Sequence, residues 1–280
     1  MELRHVAARD GRLSSFLKQE MNMSTGLVNR LKWQEKICVN GTAQHNDYAV
    51  KTGDVITAQL DEEEPNYPPQ EGEFTILYED EHLVAVDKPA GMLIHPSHSK
   101  NDGTLANFVL GYYVRTGQKC AFHPVTRLDR DTFGIVLLTK NSHIHALMQC
   151  TDLKKTYHAL VRGGPLEDVG TIDAPIARKP LPSLLREVRD DGKKCITEFQ
   201  VLERLDGYAK LALRPVTGRT HQLRVHCAYM GFPILGDPQY GNGAADFGLQ
   251  HQLLCAKRLE FTHPITGENL TLESKMDANL

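Results

Sequence analysis

The sequence has no run of eighteen apolar residues, so no membrane-spanning helix is expected. Its N-terminus, "MELRHVAARDGRL", lacks the apolar stretch of a secretory signal. The six cysteines (Cys38, Cys120, Cys150, Cys195, Cys227, Cys255) include no CxxC pair, which argues against a zinc knuckle or a disulfide framework and for reduced thiols in the cytoplasm. The net charge is only −3, too little for a global pull on nucleic acid, so any such contact must come from local basic clusters. Internal repeats and low-complexity segments are also absent. What is left is an ordinary globular composition, 41% hydrophobic and 24% charged over 280 residues, enough for one large domain or a large one and a small one.

The first sixty residues read as a unit of their own. "GRLSSFLKQE" and "STGLVNRLKWQ" carry helical apolar spacing, with Ser24 as N-cap of the second. "KICVNGTA" alternates into an Asn40-Gly41 turn, and "TGDVITAQL" supplies another short strand. Eight Lys/Arg against six Asp/Glu leave this unit at +2, and the remaining 220 residues carry −5. The acidic, proline-rich residues 61–73 are expected to be a linker, and 74–280 a second domain. In that domain "TILYE", "LVAVDK", "GIVLLTK", "TYHALVRG", "KCITEFQVLER", "AKLALRPV" and "LCAKRLEF" read as strands. "TLANFVLGYYV", "NSHIHALMQC" and "RTHQLRVHCAYM" read as helices. Strands outnumber helices without alternating with them, which predicts an α+β fold on a large mixed, mainly antiparallel sheet.

The stretch "VTRLDRDTFGIVLLTK" crowds Arg127, Asp129, Arg130 and Asp131 against the mouth of a buried strand. A lone Asp there is commonly a turn residue, but Arg127 and Asp129 share one side of an extended segment while Leu128 points to the other. In residues 219–230, read as a helix, Leu223, Cys227 and Met230 form an apolar stripe with His221 and Arg224 on its flank. A guanidinium at the edge of a core needs a carboxylate partner, and Asp129 can supply it. Such a pair suits a nucleophile or base better than a proton donor. The bland alternative is an ordinary amphipathic arginine. Tyr157 alternates with Ala159 and Val161 and faces the same side, as a core residue or as a platform for a base. Lys88 follows a strand and either meets a phosphate or is solvated. Lys154, Lys155, Arg162, Arg178, Lys179, Arg186, Arg189, Lys193 and Lys194 form the densest basic set, consistent with a phosphate track or with solvated loops. The histidine pairs His95/His98 and His143/His145 lack the spacing and acidic or thiol partners of a metal site, so no metal is expected.

"FHPVTRLDRDTFGIVLLTKN" resembles the catalytic motif HRLDxxTSGxxLxAK of the RluA/RluD-type pseudouridine synthases. "EDEHLVAVDKPAGMLIHPS", "LKKTYHALVRG", "GTIDAPIARKP" and "GRTHQLRVHCAYMGFPILGDPQYG" resemble its other motifs in the same order, over about residues 74–261. Residues 1–60 resemble the small helix-helix-strand RNA-binding module of a ribosomal small-subunit protein, the S-four-like module. The resemblance implies isomerisation of uridine to pseudouridine without cofactor, in large-subunit ribosomal RNA, with transfer RNA or a non-catalytic RNA-binding assembly role as alternatives. It implies that Asp129 is the catalytic aspartate, as nucleophile or as base on the ribose, and that Arg224 pairs with it. Tyr157 would stack on uracil and could take the carbon 5 proton, while Arg127 fills the gap left by the flipped base. Lys88, Lys154, Lys155, Arg219 and His221 are expected as RNA contacts, in a monomer. Thr126 stands where the family has His, expected at the RNA surface, and Phe133 where it has Ser or Thr.

Overall fold

In the computed structural model, which describes residues 1–97, 100–183, 185–241 and 247–280, the two most apolar stretches are adjacent antiparallel strands. These are Leu83–Lys88 and Phe133–Thr139, and every residue in both is buried. Successive side chains of a strand point to opposite faces, so a run without polar alternation needs cover on both. Val84, Val86, Val136 and Leu138 meet the helix Leu105–Arg115. Leu83, Ala85, Ile135 and Leu137 face the other way, in one core with Leu13, Phe16, Val28 and Leu31 of the first unit and Ile144 and Met148 of the helix Ser142–Gln149.

Both strands belong to a ten-stranded sheet. Its main path runs Val169–Asp173, Ile196–Leu205, Tyr208–Pro215, Lys154–Arg162, Leu254–Thr262, Phe133–Thr139, Leu83–Lys88, Thr75–Glu79. Asn269–Glu273 and His123–Pro124 pair off this path. Among the described residues one pairing is parallel, Phe133–Thr139 with Leu254–Thr262, through Phe133↔Cys255 and Gly134↔Ala256; the rest are antiparallel. The domain is therefore α+β with a mixed, mainly antiparallel sheet. At the seam Gly134 has φ +106, and a Cβ there would lie 2.4 Å from the Ala256 carbonyl oxygen. Only glycine allows the strands this close. Beyond the seam one face is covered by the helix Gln222–Tyr229, whose Leu223 and Cys227 pack on Ala159, Val161, Leu211 and Leu213. The strand Ile196–Leu205, next to the edge strand Val169–Asp173, alternates buried with exposed residues near its start, the pattern of a sheet covered on one face.

In the first unit Ser24 caps the helix Thr25–Trp33, its hydroxyl accepting the Leu27 N–H at 3.2 Å. Asn40 and Gly41 are both left-handed (φ 50 and 79) between Ile37–Val39 and Thr42–Ala43, as a two-residue hairpin requires. The reading missed the strand Glu2–Val6, which pairs with Val55–Gln59. Its charged residues flank the buried Leu3, and no local apolar run marks it.

Residues 61–73 contain neither helix nor strand, yet they are not a free tether. The Asn66 side chain exchanges hydrogen bonds with the Phe122 backbone, Glu63 accepts the Ser142 N–H, and Gln70 N–H donates to Asn107 O. At Gly111 a Cβ would sit 1.9 Å from the Gln70 carbonyl oxygen, so the segment lies directly on the helix Leu105–Arg115.

Candidate active site

Asp129 sits in the loop that leads into Phe133–Thr139, and three anchors shape that loop. Thr126 Oγ1 accepts the Leu137 N–H at 2.9 Å, and Thr132 N–H closes a turn onto Asp129 O at 3.2 Å. The Lys88 ammonium donates to the carbonyls of Pro89, Met92 and Arg130, each at 2.9 Å.

Two expectations are corrected here. Lys88, expected as a phosphate contact, is 0% exposed and clamps the loop from beneath. Burial draws its pKa down to about 8, against the opposing charges of Asp131 and Asp129. Thr126, expected at the RNA surface, is 5% exposed because its hydroxyl satisfies a backbone N–H in the core.

Arg224, 4% exposed on the helix Gln222–Tyr229, faces Asp129. Its Nη1 donates to Asp129 Oδ2 at 3.1 Å, while Nε and Nη2 form a fork on Asp237 (2.7 and 2.8 Å) and Nη2 also reaches Gln239 Oε1 at 2.9 Å. Burial works against the charge, but Asp237 and Asp129 outweigh it and raise the pKa. The helix expected over 219–230 begins at Gln222, because His221 takes a left-handed φ of 56. Met230, placed in the apolar stripe by its spacing, is 46% exposed past the last turn.

Asp129, Tyr157 and Arg224 line a cleft of about 610 Å³ at the seam between the two halves of the sheet, with Arg127, Lys155, Arg219 and His221 around them. Burial raises the Tyr157 pKa, and the charges of Asp129 and Cys255 add to it. The phenol is therefore neutral before any reaction. Burial lowers the pKa of Lys155. Lys154 is exposed at the start of its strand and is not part of the cleft wall. A recess of about 250 Å³ shares Asp129, His221 and Arg224 with the cleft and adds Gln239 and Gln252.

Sequence reasoning missed Asp237. Its side chain has no exposed surface, and besides Arg224 it accepts the N–H groups of Gln239 (2.9 Å) and Tyr240 (3.0 Å). The available signal was an Asp before Pro in "GDPQYG", a turn former that here anchors an arginine. Among the described residues no group of three or more His, Cys, Asp or Glu could hold a metal ion. His143 is buried in its helix and His145 lies against His123, with ring centroids 5.7 Å apart. His98 lies outside the described residues.

A model of the RNA pseudouridylate synthase family matches residues 82–229. The Bacillus subtilis RNA pseudouridine synthase YjbO is 34% identical over 268 residues, covering 93% of this chain and 94% of the relative. Ribosomal large subunit pseudouridine synthase D of Xanthomonas campestris is 35% identical over 256 residues, 85% of this chain and 77% of its own. Among solved structures, human RNA pseudouridylate synthase domain containing 1 superposes with a TM-score of 0.61 at 27% identity, covering 76% of this chain and 87% of that one.

Proposed function

The chain belongs to the RNA pseudouridylate synthase family and is an RNA pseudouridine synthase, an isomerase, and from that premise we propose that Asp129 carries the chemistry, that Arg224 holds it, and that large-subunit ribosomal RNA is the substrate. The reaction breaks the bond from uracil nitrogen 1 to ribose, turns the base and rejoins it through carbon 5. That bond is out of reach in a stacked helix, so the uridine is flipped into the cleft. Asp129 either attacks the anomeric carbon or removes the ribose 2′ proton, and an oriented carboxylate serves both routes. Tyr157 stacks on the uracil. As base for the carbon 5 proton, a neutral phenol acts only by passing on its own proton in the same step. Arg127, exposed at the cleft, fills the gap left by the flipped base, and Lys154, Lys155 and Arg219 meet backbone phosphates.

The observation that carries this reading is the Asp129–Arg224 pair at 3.1 Å in a cleft whose other charged walls, Arg127, Lys155 and Arg219, are basic. Ribosomal RNA is favoured by relatives named for the ribosomal large subunit. In this reading the first unit is an S-four-like RNA-binding module. Its support is the +2 charge and Trp33, 83% exposed with Lys32 Nζ 5.6 Å from the ring centroid, a pairing suited to stacked bases.

The test is tritium release from carbon 5-labelled ribosomal and transfer RNA, prepared separately from cells lacking this gene. Release from ribosomal RNA by wild type and none by Asp129→Ala is expected. Release only from transfer RNA would overturn the substrate, and release by Asp129→Ala would overturn the assignment of Asp129.

A further inference from the structure

We propose that His221 is a positioning residue for Asp129: its Nε2–H steadies Asp129 Oδ2 beside Arg224 and leaves Oδ1 as the oxygen that meets the ribose. The inference rests on the reading of Asp129 as the catalytic carboxylate. His221 occupies a left-handed conformation at φ 56, uncommon outside glycine although His, like Asn and Asp, adopts it more readily than most residues. It stands at the N-cap position, yet its side chain makes no cap hydrogen bond to the helix. The ring instead lies in the cleft, where it lines both the main cavity and the recess.

The hydrogen bonds decide which nitrogen carries the proton. Tyr240 Oη accepts the Arg186 N–H at 2.9 Å and lies 2.9 Å from His221 Nδ1. If Nδ1 carried the proton, the Tyr240 hydroxyl proton would have no acceptor among the described residues. With the hydroxyl donating to Nδ1, both bonds at Tyr240 Oη are satisfied and the ring proton sits on Nε2, the nitrogen nearer Asp129. Nε2 is 3.8 Å from Asp129 Oδ2, the oxygen that Arg224 Nη1 already reaches at 3.1 Å. Among the described residues no donor engages Oδ1. The 3.8 Å gap is longer than a hydrogen bond, and contacts of this kind tighten when substrate fills the site.

The charges facing the ring come from the Asp129 loop, the helix Gln222–Tyr229, the turn at Asp237 and the short strand Arg186–Val188. Burial lowers its pKa; Arg224 and Arg186 act the same way, while Asp129 and Asp237 oppose them. A neutral ring keeps Nδ1 as the acceptor that this arrangement needs. Only 18% of the side chain is exposed, which fits a residue turned toward Asp129 better than one turned toward RNA.

Two variants separate this role from a structural one. Asn at position 221 tolerates the left-handed backbone but is too short to present a donor to Asp129. Gln places an amide N–H near the position of Nε2. Single-turnover tritium release from carbon 5-labelled large-subunit ribosomal RNA, RNA affinity and thermal melting are measured for His221→Asn, His221→Gln and Asp129→Asn. His221→Asn should melt and bind RNA like wild type and turn over roughly 10- to 100-fold more slowly, the factor one hydrogen bond to a charged group supplies. His221→Gln should recover most of that rate. A wild-type rate in His221→Asn, or equal losses in both variants, would overturn the donor role. A loss of affinity equal to the loss of rate would make His221 an RNA contact instead. If Asp129→Asn loses turnover while His221→Asn keeps it, this inference alone fails; if Asp129→Asn keeps turnover, the reading of Asp129 fails with it.

Discussion

Arg224 carries two acids at once, and its shape explains why. A guanidinium offers donors along a planar fork, so Nε and Nη2 can hold Asp237 while Nη1 remains for Asp129. Asp237 also makes burial of the arginine tolerable, since a buried charge without a partner costs about 3–5 kcal/mol. If Asp129 carries the chemistry as proposed, Arg224→Met should lower turnover far more than RNA affinity, by about 100-fold or more, because it frees the Asp129 carboxylate without touching the basic residues of the cleft wall. Titration of RNA binding beside single-turnover rates checks this, and equal losses would make Arg224 mainly an RNA contact. The expected partnership of Asp129 and Arg224 is present at 3.1 Å. The role of Lys88 was not legible: a lysine after a strand reads the same whether it meets solvent or three carbonyls, and only the fold supplies the carbonyls.

The seam between the two half-sheets decides where the loop bearing Asp129 opens. Phe133–Thr139 and Leu254–Thr262 touch in parallel over just two residue pairs, and Gly134 permits that contact. Gly134→Ala should destabilise the protein by more than the roughly 1 kcal/mol lost at an ordinary strained glycine, because the methyl meets backbone and cannot be relieved by a rotamer change. Chemical denaturation of the variant checks the size, and an unchanged midpoint would show that the seam yields easily. The main strands and helices were legible from apolar runs and period, since those runs are long. Short strands such as Arg186–Val188, and Glu2–Val6 with its flanking charges, were not, because pairing partners distant in sequence define them.

At the scale of the whole molecule the first unit is part of the catalytic domain's core. Leu83, Ile135 and Leu137 would lose part of their cover on its removal, and each large aliphatic side chain fully re-exposed costs about 1.5–3 kcal/mol. Set against a net stability of about 5–15 kcal/mol, that is a large share. Deletion of 1–60 should lower the melting temperature by about 10 °C or more, or yield aggregate; an unchanged melt would show that the shared core contributes little. Point changes at exposed Arg30 and half-buried Lys32 are therefore the better probe of RNA binding, with a flatter salt dependence expected. The acidic strap has a pH signature. Burial acts to raise the pKa of Glu63, but hydrogen bonds from His123 and Ser142 overcome it and hold it below the ordinary 4.5. A carboxylate depressed in the folded state adds stability above its unfolded pKa and loses it as pH falls through the folded value. The melting difference between wild type and Glu63→Gln should shrink as pH falls below 4.5. A difference independent of pH would show that the strap does not depend on the Glu63 charge.

The sequence by itself determined the sheet's main strands, the α+β class and the order of the motifs, because period, caps and turns act over a few residues. It also placed Asp129, Tyr157 and Arg224 as the residues to examine. Only the tertiary structure decided that Asp237 holds Arg224, that Lys88 lies beneath the active loop, that Thr126 is a core residue, and that the first unit seals one face of the sheet. Each of these depends on a partner far along the chain, and burial and hydrogen-bond satisfaction are properties of the assembled neighbourhood, which no local window of sequence contains.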